Sequence, residues 1–211
     1  MLPMSLRPSL PWIRLLFGLL ALVAIGWQLA IQIRYGFSAL NFFSFFTNLS
    51  NLFAAVVLLA GAAQLLLPKR WSFPSAQVRF ISVVNMTVVG VVFSVLLQDV
   101  DLGSLQPWIN FVLHYAMPLA VALDWLLQPP HQRLGARHLV LTLVFPALYL
   151  SYVLFRGAVA GWYPYPFLNP ANVGGYGGVA LYSLAIASTF LLSGWALLTA
   201  GNYFGARRRG V

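Results

Sequence analysis

The 211-residue chain contains no cysteine and no glutamate, and its acidic residues are three aspartates. Without cysteine there can be no disulfide and no thiolate metal site. Three carboxylates are too few for a two-metal centre, and neither a metal nor a cofactor is expected. HExxH, EF-hand and GxSxG patterns are absent, and Gly174-Gly175-Tyr176-Gly177-Gly178 has the wrong spacing for a phosphate loop. Charged residues make up only 7% of the chain, against about 25% in a soluble domain. That leaves too few ionic groups to coat a water-facing surface. Disorder is excluded as well, because it needs low hydrophobicity and high charge.

Apolar residues dominate instead, at 61%, with a mean hydropathy of +0.84. Six runs reach the length of about 20 residues that a membrane span requires. They cover residues 11–33, 41–67, 78–97, 107–127, 138–155 and 177–200. Backbone groups in lipid must be satisfied within their own segment, so each run predicts a helix. The expectation is an all-α polytopic membrane protein, a bundle of six transmembrane helices formed by a single domain over residues 1–211. The first run is longer than a signal-peptide core and no clear cleavage site follows it, so it reads as a permanent helix.

The net charge of +9 sits in short clusters between the spans, which fits membrane topology better than nucleic-acid binding. Arg7, Arg14, Lys69, Arg70, Arg79, Arg133, Arg137 and Arg207 to Arg209 fall on one side, and only Arg34 and Arg156 on the other. Because cytoplasmic loops retain Lys and Arg, both termini are expected to be cytoplasmic. Asp99 and Asp101 then lie in an outer loop.

Polar residues gather toward the outer half. Ser44, Thr47, Asn48 and Asn51 are spaced to share one face of the second span. Asn110 and His114 lie one turn apart on the fourth. By helical rise, Thr47 and His114 both sit about 10 Å below the outer boundary, so a hydroxyl and an imidazole are offered at matching depth. Interhelical packing is the plain reading of Ser44, Asn48 and Asn51. His114 is the one histidine inside a span, and an intramembrane ionisable group points by default to function. Asp124, near the inner end, is expected to pair with an Arg or Lys from that side. Arg156 shares a face with Tyr149 and Tyr152; it either snorkels to headgroups or binds an anionic substrate group. The run from Trp162 to Pro170 reads as a semi-rigid lid or a segment lying on the lipid, its prolines fixing the backbone and its aromatics favouring the interface.

Three stretches carry a resemblance: Phe45-Phe46-Thr47-Asn48-Leu49-Ser50-Asn51-Leu52, His114-Tyr115-Ala116-Met117-Pro118 running on to Asp124-Trp125, and Tyr163-Pro164-Tyr165-Pro166-Phe167-Leu168. They resemble a family of six-span bacterial integral membrane proteins, which implies a bacterial inner-membrane location. More distantly, the layout is similar to the androgen-induced-protein (FAR-17a-like) family of intramembrane threonine hydrolases. Those enzymes cleave fatty acid esters of hydroxy fatty acids. This second resemblance implies a nucleophilic threonine and an essential histidine, roles that fall on Thr47 and His114.

The function expected is hydrolysis of a lipid ester by a Thr47–His114 dyad, with a membrane lipid or lipid-like ester as the substrate and neither nucleic acid nor metal as a partner. Asn48, Asn51 and Asn110 form the supporting polar network, and Arg156, Tyr149 and Tyr152 the substrate-binding group. Two rivals stay open: a non-catalytic membrane protein that binds lipid or assembles with partners, and a small transporter.

Overall fold

The computed structural model describes residues 9–67, 73–100 and 104–209. Arg7, Lys69, Arg70 and Asp101, used above for topology, lie outside them. Six helices among the described residues are long and apolar enough to cross a membrane: Leu10–Arg34, Phe46–Leu66, Ala76–Leu97, Pro107–Leu127, Ala136–Ala160 and Tyr176–Arg208. The protein is an all-helical integral membrane protein. Six crossings put Leu10 and Arg209 on the same side, called the terminal side below.

In chain order the helices are α1 (Leu10–Arg34), α2 (Ala39–Phe43), α3 (Phe46–Leu66), α4 (Ala76–Val92), α5 (Pro107–Phe111), α6 (Met117–Leu127), α7 (Ala136–Leu141), α8 (Val144–Ala160) and α9 (Tyr176–Arg209). The core lies where α1, α3, α4 and α6 meet, around Ala21, Ala54, Phe80, Val84, Met117 and Trp125. Small residues let these backbones approach, as packing in lipid requires. At Gly90 an added Cβ would lie 3.2 Å from the Pro118 side chain.

Two spans widen into π-helical turns, at Phe93–Leu97 after α4 and at Val112–Ala116 between α5 and α6. The second has a local cause. Pro118 has no N–H to return to the carbonyl four residues back, which is that of His114. The Met117 N–H bonds Val112 instead, one residue further back than in an α-helix. Such turns often mark functional sites.

The second span departs from the sequence expectation. It is broken at Ser44-Phe45, so Ser44 does not share a helix face with Thr47, Asn48 and Asn51. The Ser44 hydroxyl bonds back to the Leu40 carbonyl at 2.7 Å, and its carbonyl accepts from Tyr149 at 2.8 Å. With that carbonyl occupied and Phe45 extended, the helix restarts at Phe46. Thr47 therefore stands in the first turn of α3 rather than deep in a longer helix.

Candidate functional site

α8 makes no extended backbone contact with another helix. Its end away from the terminal side is held by side chains. Tyr149, Tyr152 and Arg156 share one face and reach the α2–α3 junction. Tyr149 donates to the Ser44 carbonyl, the Tyr152 and Ser44 hydroxyls lie 2.9 Å apart, and Arg156 donates to Asn41 Oδ1 at 2.5 Å. The Arg156 guanidinium also lies over the Trp162 ring, 4.8 Å from its centroid. Among the described residues no carboxylate pairs with Arg156.

Below these ties, α8 stands away from α3, α4 and α9 around a cavity of about 280 Å³. Its walls are almost wholly apolar, with Val88, Phe93, Leu150, Ile186, Ala187 and Phe190 among them. Thr47, Tyr149, Tyr165 and Ser183 supply its few hydroxyls. A mainly apolar space with a few convergent polar groups is the usual form of a small-molecule site. The aromatic loop contributes Tyr165, Phe167 and Leu168 to the lining, and all three are buried. The Tyr165 and Phe167 rings stack with centroids 5.2 Å apart. Tyr163 fits because residue 157 is glycine: a Cβ there would fall 2.0 Å from the Tyr163 ring.

Thr47 lines the cavity and is buried. Its N–H is left free by the start of α3, and it donates to the Tyr165 phenol oxygen at 3.3 Å. Tyr165 was not singled out from the sequence as a site residue. Its position in a proline-bracketed aromatic run was the available signal, but that run also suits an ordinary membrane interface.

His114 is buried but is not among the residues that line the cavity. Its Nδ1 is 3.1 Å from the Asn110 carbonyl, and its ring stacks on Phe93 with centroids 3.9 Å apart. Phe93 thus covers a face of the imidazole and also walls the cavity. No hydrogen bond joins Thr47 to His114 among the described residues. What links their helices is Asn51, wholly buried, whose Nδ2 donates to the Thr47 carbonyl at 3.0 Å and to the Leu113 carbonyl at 3.1 Å. Both carbonyls lie within 3.1 Å of that one nitrogen, so the segment that carries His114 packs beside the turn that carries Thr47.

The other two asparagines are placed differently. Asn48 donates to the Phe42 carbonyl at 2.8 Å and so fastens α2 to α3. Asn110 Oδ1 is buried without a hydrogen-bond partner, as is Asn51 Oδ1. Asp124 pairs with terminal-side arginines, as its position suggested: Arg14 Nε at 2.6 Å and Arg79 Nη2 at 2.9 Å.

Residues 41–198 match the FAR-17a/AIG1-like protein family. No curated protein and no solved structure matches the chain.

Proposed function

The chain belongs to the FAR-17a/AIG1-like family, and on that footing we propose that it is an intramembrane hydrolase of lipid esters, with fatty acid esters of hydroxy fatty acids as its substrate class. The observation that carries this reading is the position of Thr47: a hydroxyl at the rim of an apolar cavity, beside a helix tied to the bundle mainly by side chains. An acyl chain fits such walls, and a lipid can reach them sideways past α8 without crossing water.

In this reading Thr47 Oγ attacks the ester carbonyl and His114 takes its proton, later returning it to the leaving alcohol. Phe93 stacks on the imidazole and also lines the cavity, so a bound chain that displaces the Phe93 ring opens the imidazole towards Thr47. Catalytic hydrogen bonds are commonly long before substrate binds. Asn51 holds the two helices in register, and Asn110 fixes the imidazole through Nδ1. Arg156, with Tyr152 beside it, receives an anionic group on the substrate, and Tyr149 shapes the rim. The location proposed is a bacterial inner membrane with both termini cytoplasmic, which puts the cavity mouth on the outer side.

The test is hydrolysis of long-chain esters by purified Thr47→Ala, His114→Ala and the double variant. Each single change should lower the rate by orders of magnitude, with the double scarcely worse, because residues acting as a unit are non-additive. A folded Thr47→Ala protein with the wild-type rate would refute the mechanism. Lipid binding without catalysis is the second reading, favoured by the absence of a Thr47–His114 hydrogen bond; it predicts bound lipid and no turnover in every variant.

A further inference from the structure

Resting on the threonine mechanism above, we infer that Tyr165 is a further catalytic residue, whose phenol donates a hydrogen bond to the oxyanion formed when Thr47 attacks an ester. Four observations converge on it. The phenol oxygen lies 3.3 Å from the Thr47 nitrogen, which places it beside the reacting residue. It faces the cavity that would hold the acyl chain. The ring is fixed between two others, stacked on Phe167 and edge-on to Phe45 at 5.6 Å. Because the Thr47 N–H donates to the phenol oxygen, the phenol retains its own O–H for another acceptor. That acceptor is a substrate carbonyl entering the cavity beside Thr47.

The chemistry balances without any further reagent. Thr47 Oγ bonds to the carbonyl carbon, its proton passes to His114, and the carbonyl π pair becomes the oxyanion that Tyr165 stabilises. Collapse breaks the bond to the alkyl oxygen, and the alcohol leaves with the proton from His114. Water, deprotonated by the same imidazole, attacks the acyl carbon; the bond to Thr47 Oγ breaks, the imidazolium returns the proton to that oxygen, and the fatty acid is released. Tyr165 acts as a donor rather than a base. Burial pushes its phenol above the ordinary tyrosine value, although hydrogen bonds from Thr47 draw it partly back. It therefore keeps its proton at neutral pH.

Such donors are worth about 10²–10³ in kcat. Because Tyr165 is carried by the loop between α8 and α9, the active arrangement exists only with that loop docked. Loop closure and catalysis become one event.

The experiment is steady-state hydrolysis of p-nitrophenyl butyrate and p-nitrophenyl palmitate by the full-length protein in detergent. Tyr165→Phe keeps the ring and its stacking but removes the hydroxyl, so kcat should fall about 10²–10³-fold with KM nearly unchanged. 3,5-Difluorotyrosine at position 165 keeps both ring and hydroxyl but ionises more readily. It should move the alkaline limb of kcat to lower pH, and it tests the inference even if Tyr165→Phe folds poorly. Wild-type kcat in folded Tyr165→Phe, or an unmoved alkaline limb, would overturn the role of Tyr165 while an inactive Thr47→Ala leaves the threonine mechanism standing. An active Thr47→Ala protein, or no hydrolysis by wild type, would overturn both.

Discussion

On the terminal side, Arg14 and Arg79 close on Asp124, Arg14 adds a bond to the Gly61 carbonyl, and Arg79 bonds the carbonyls of Asp124 and Gln128. Arg14 also bonds the Gln128 side chain. Charge-assisted bonds thus lock α1, α3, α4 and α6 where all four helices already pack closely. On the opposite side, α8 is held by hydroxyls, one guanidinium and ring contacts, with a cavity directly beneath. The difference teaches where a guest can enter. In lipid a buried charge must remain paired, so the ionic end cannot open cheaply, whereas a tyrosine hydroxyl in a membrane protein holds with only about 0.6 kcal/mol per bond. The end bearing Thr47 is the end that can yield.

The largest effect that would break this comparison lies in the ionic cluster. Asp124→Asn leaves two arginines without their carboxylate, and removing one partner of a buried pair costs about 3–5 kcal/mol. Thermal unfolding in detergent should fall steeply, while Thr47→Ala leaves it unchanged. Equal stability of the two variants would mean that the terminal side is no more tightly fixed than the cavity side.

Gly157→Ala is smaller in energy and sharper in meaning. A Cβ 2.0 Å from the Tyr163 ring must push the aromatic loop outward, at about 1–3 kcal/mol for overpacking. Because that loop carries Tyr165, ester hydrolysis should decline more than stability does. A variant that loses stability and keeps its rate would separate the loop from the chemistry.

The smallest effect is expected from Arg156→Gln. It removes a cation from the cavity rim and only binding to an anion is lost, so KM should rise for esters with a free carboxylate and stay unchanged for neutral esters. Kinetics on a matched pair of substrates decide it. An equal change in both KM values would leave Arg156 a headgroup anchor.

The helices were legible because lipid imposes one rule on every span, and a run such as Val78 to Leu97 has no alternative to a helix. The pairing of Asp124 with terminal-side arginines followed from the same logic of depth. The break at Ser44-Phe45 was not legible. Phe42, Phe43, Phe45 and Phe46 read as a continuous apolar helix, and the contacts that interrupt it come from Tyr149 and Tyr152, more than a hundred residues away. That hidden break also hid Tyr165, whose partner, the Thr47 N–H, is set free by where α3 begins. Residue types in the candidate site could be read from the sequence; where α3 begins depended on long-range contacts.

The central claim is that the cavity beside α8 holds the acyl chain on which Thr47 acts. The chain has no native cysteine, so a single thiol introduced by Ala187→Cys, on the α9 wall of the cavity, can be modified alone. Long-chain ester hydrolysis should be close to wild type before labelling and should fall progressively as alkyl methanethiosulfonates of increasing length fill the space. Hydrolysis of a short-chain ester should fall less. Full long-chain activity in stoichiometrically labelled, folded protein would contradict the claim.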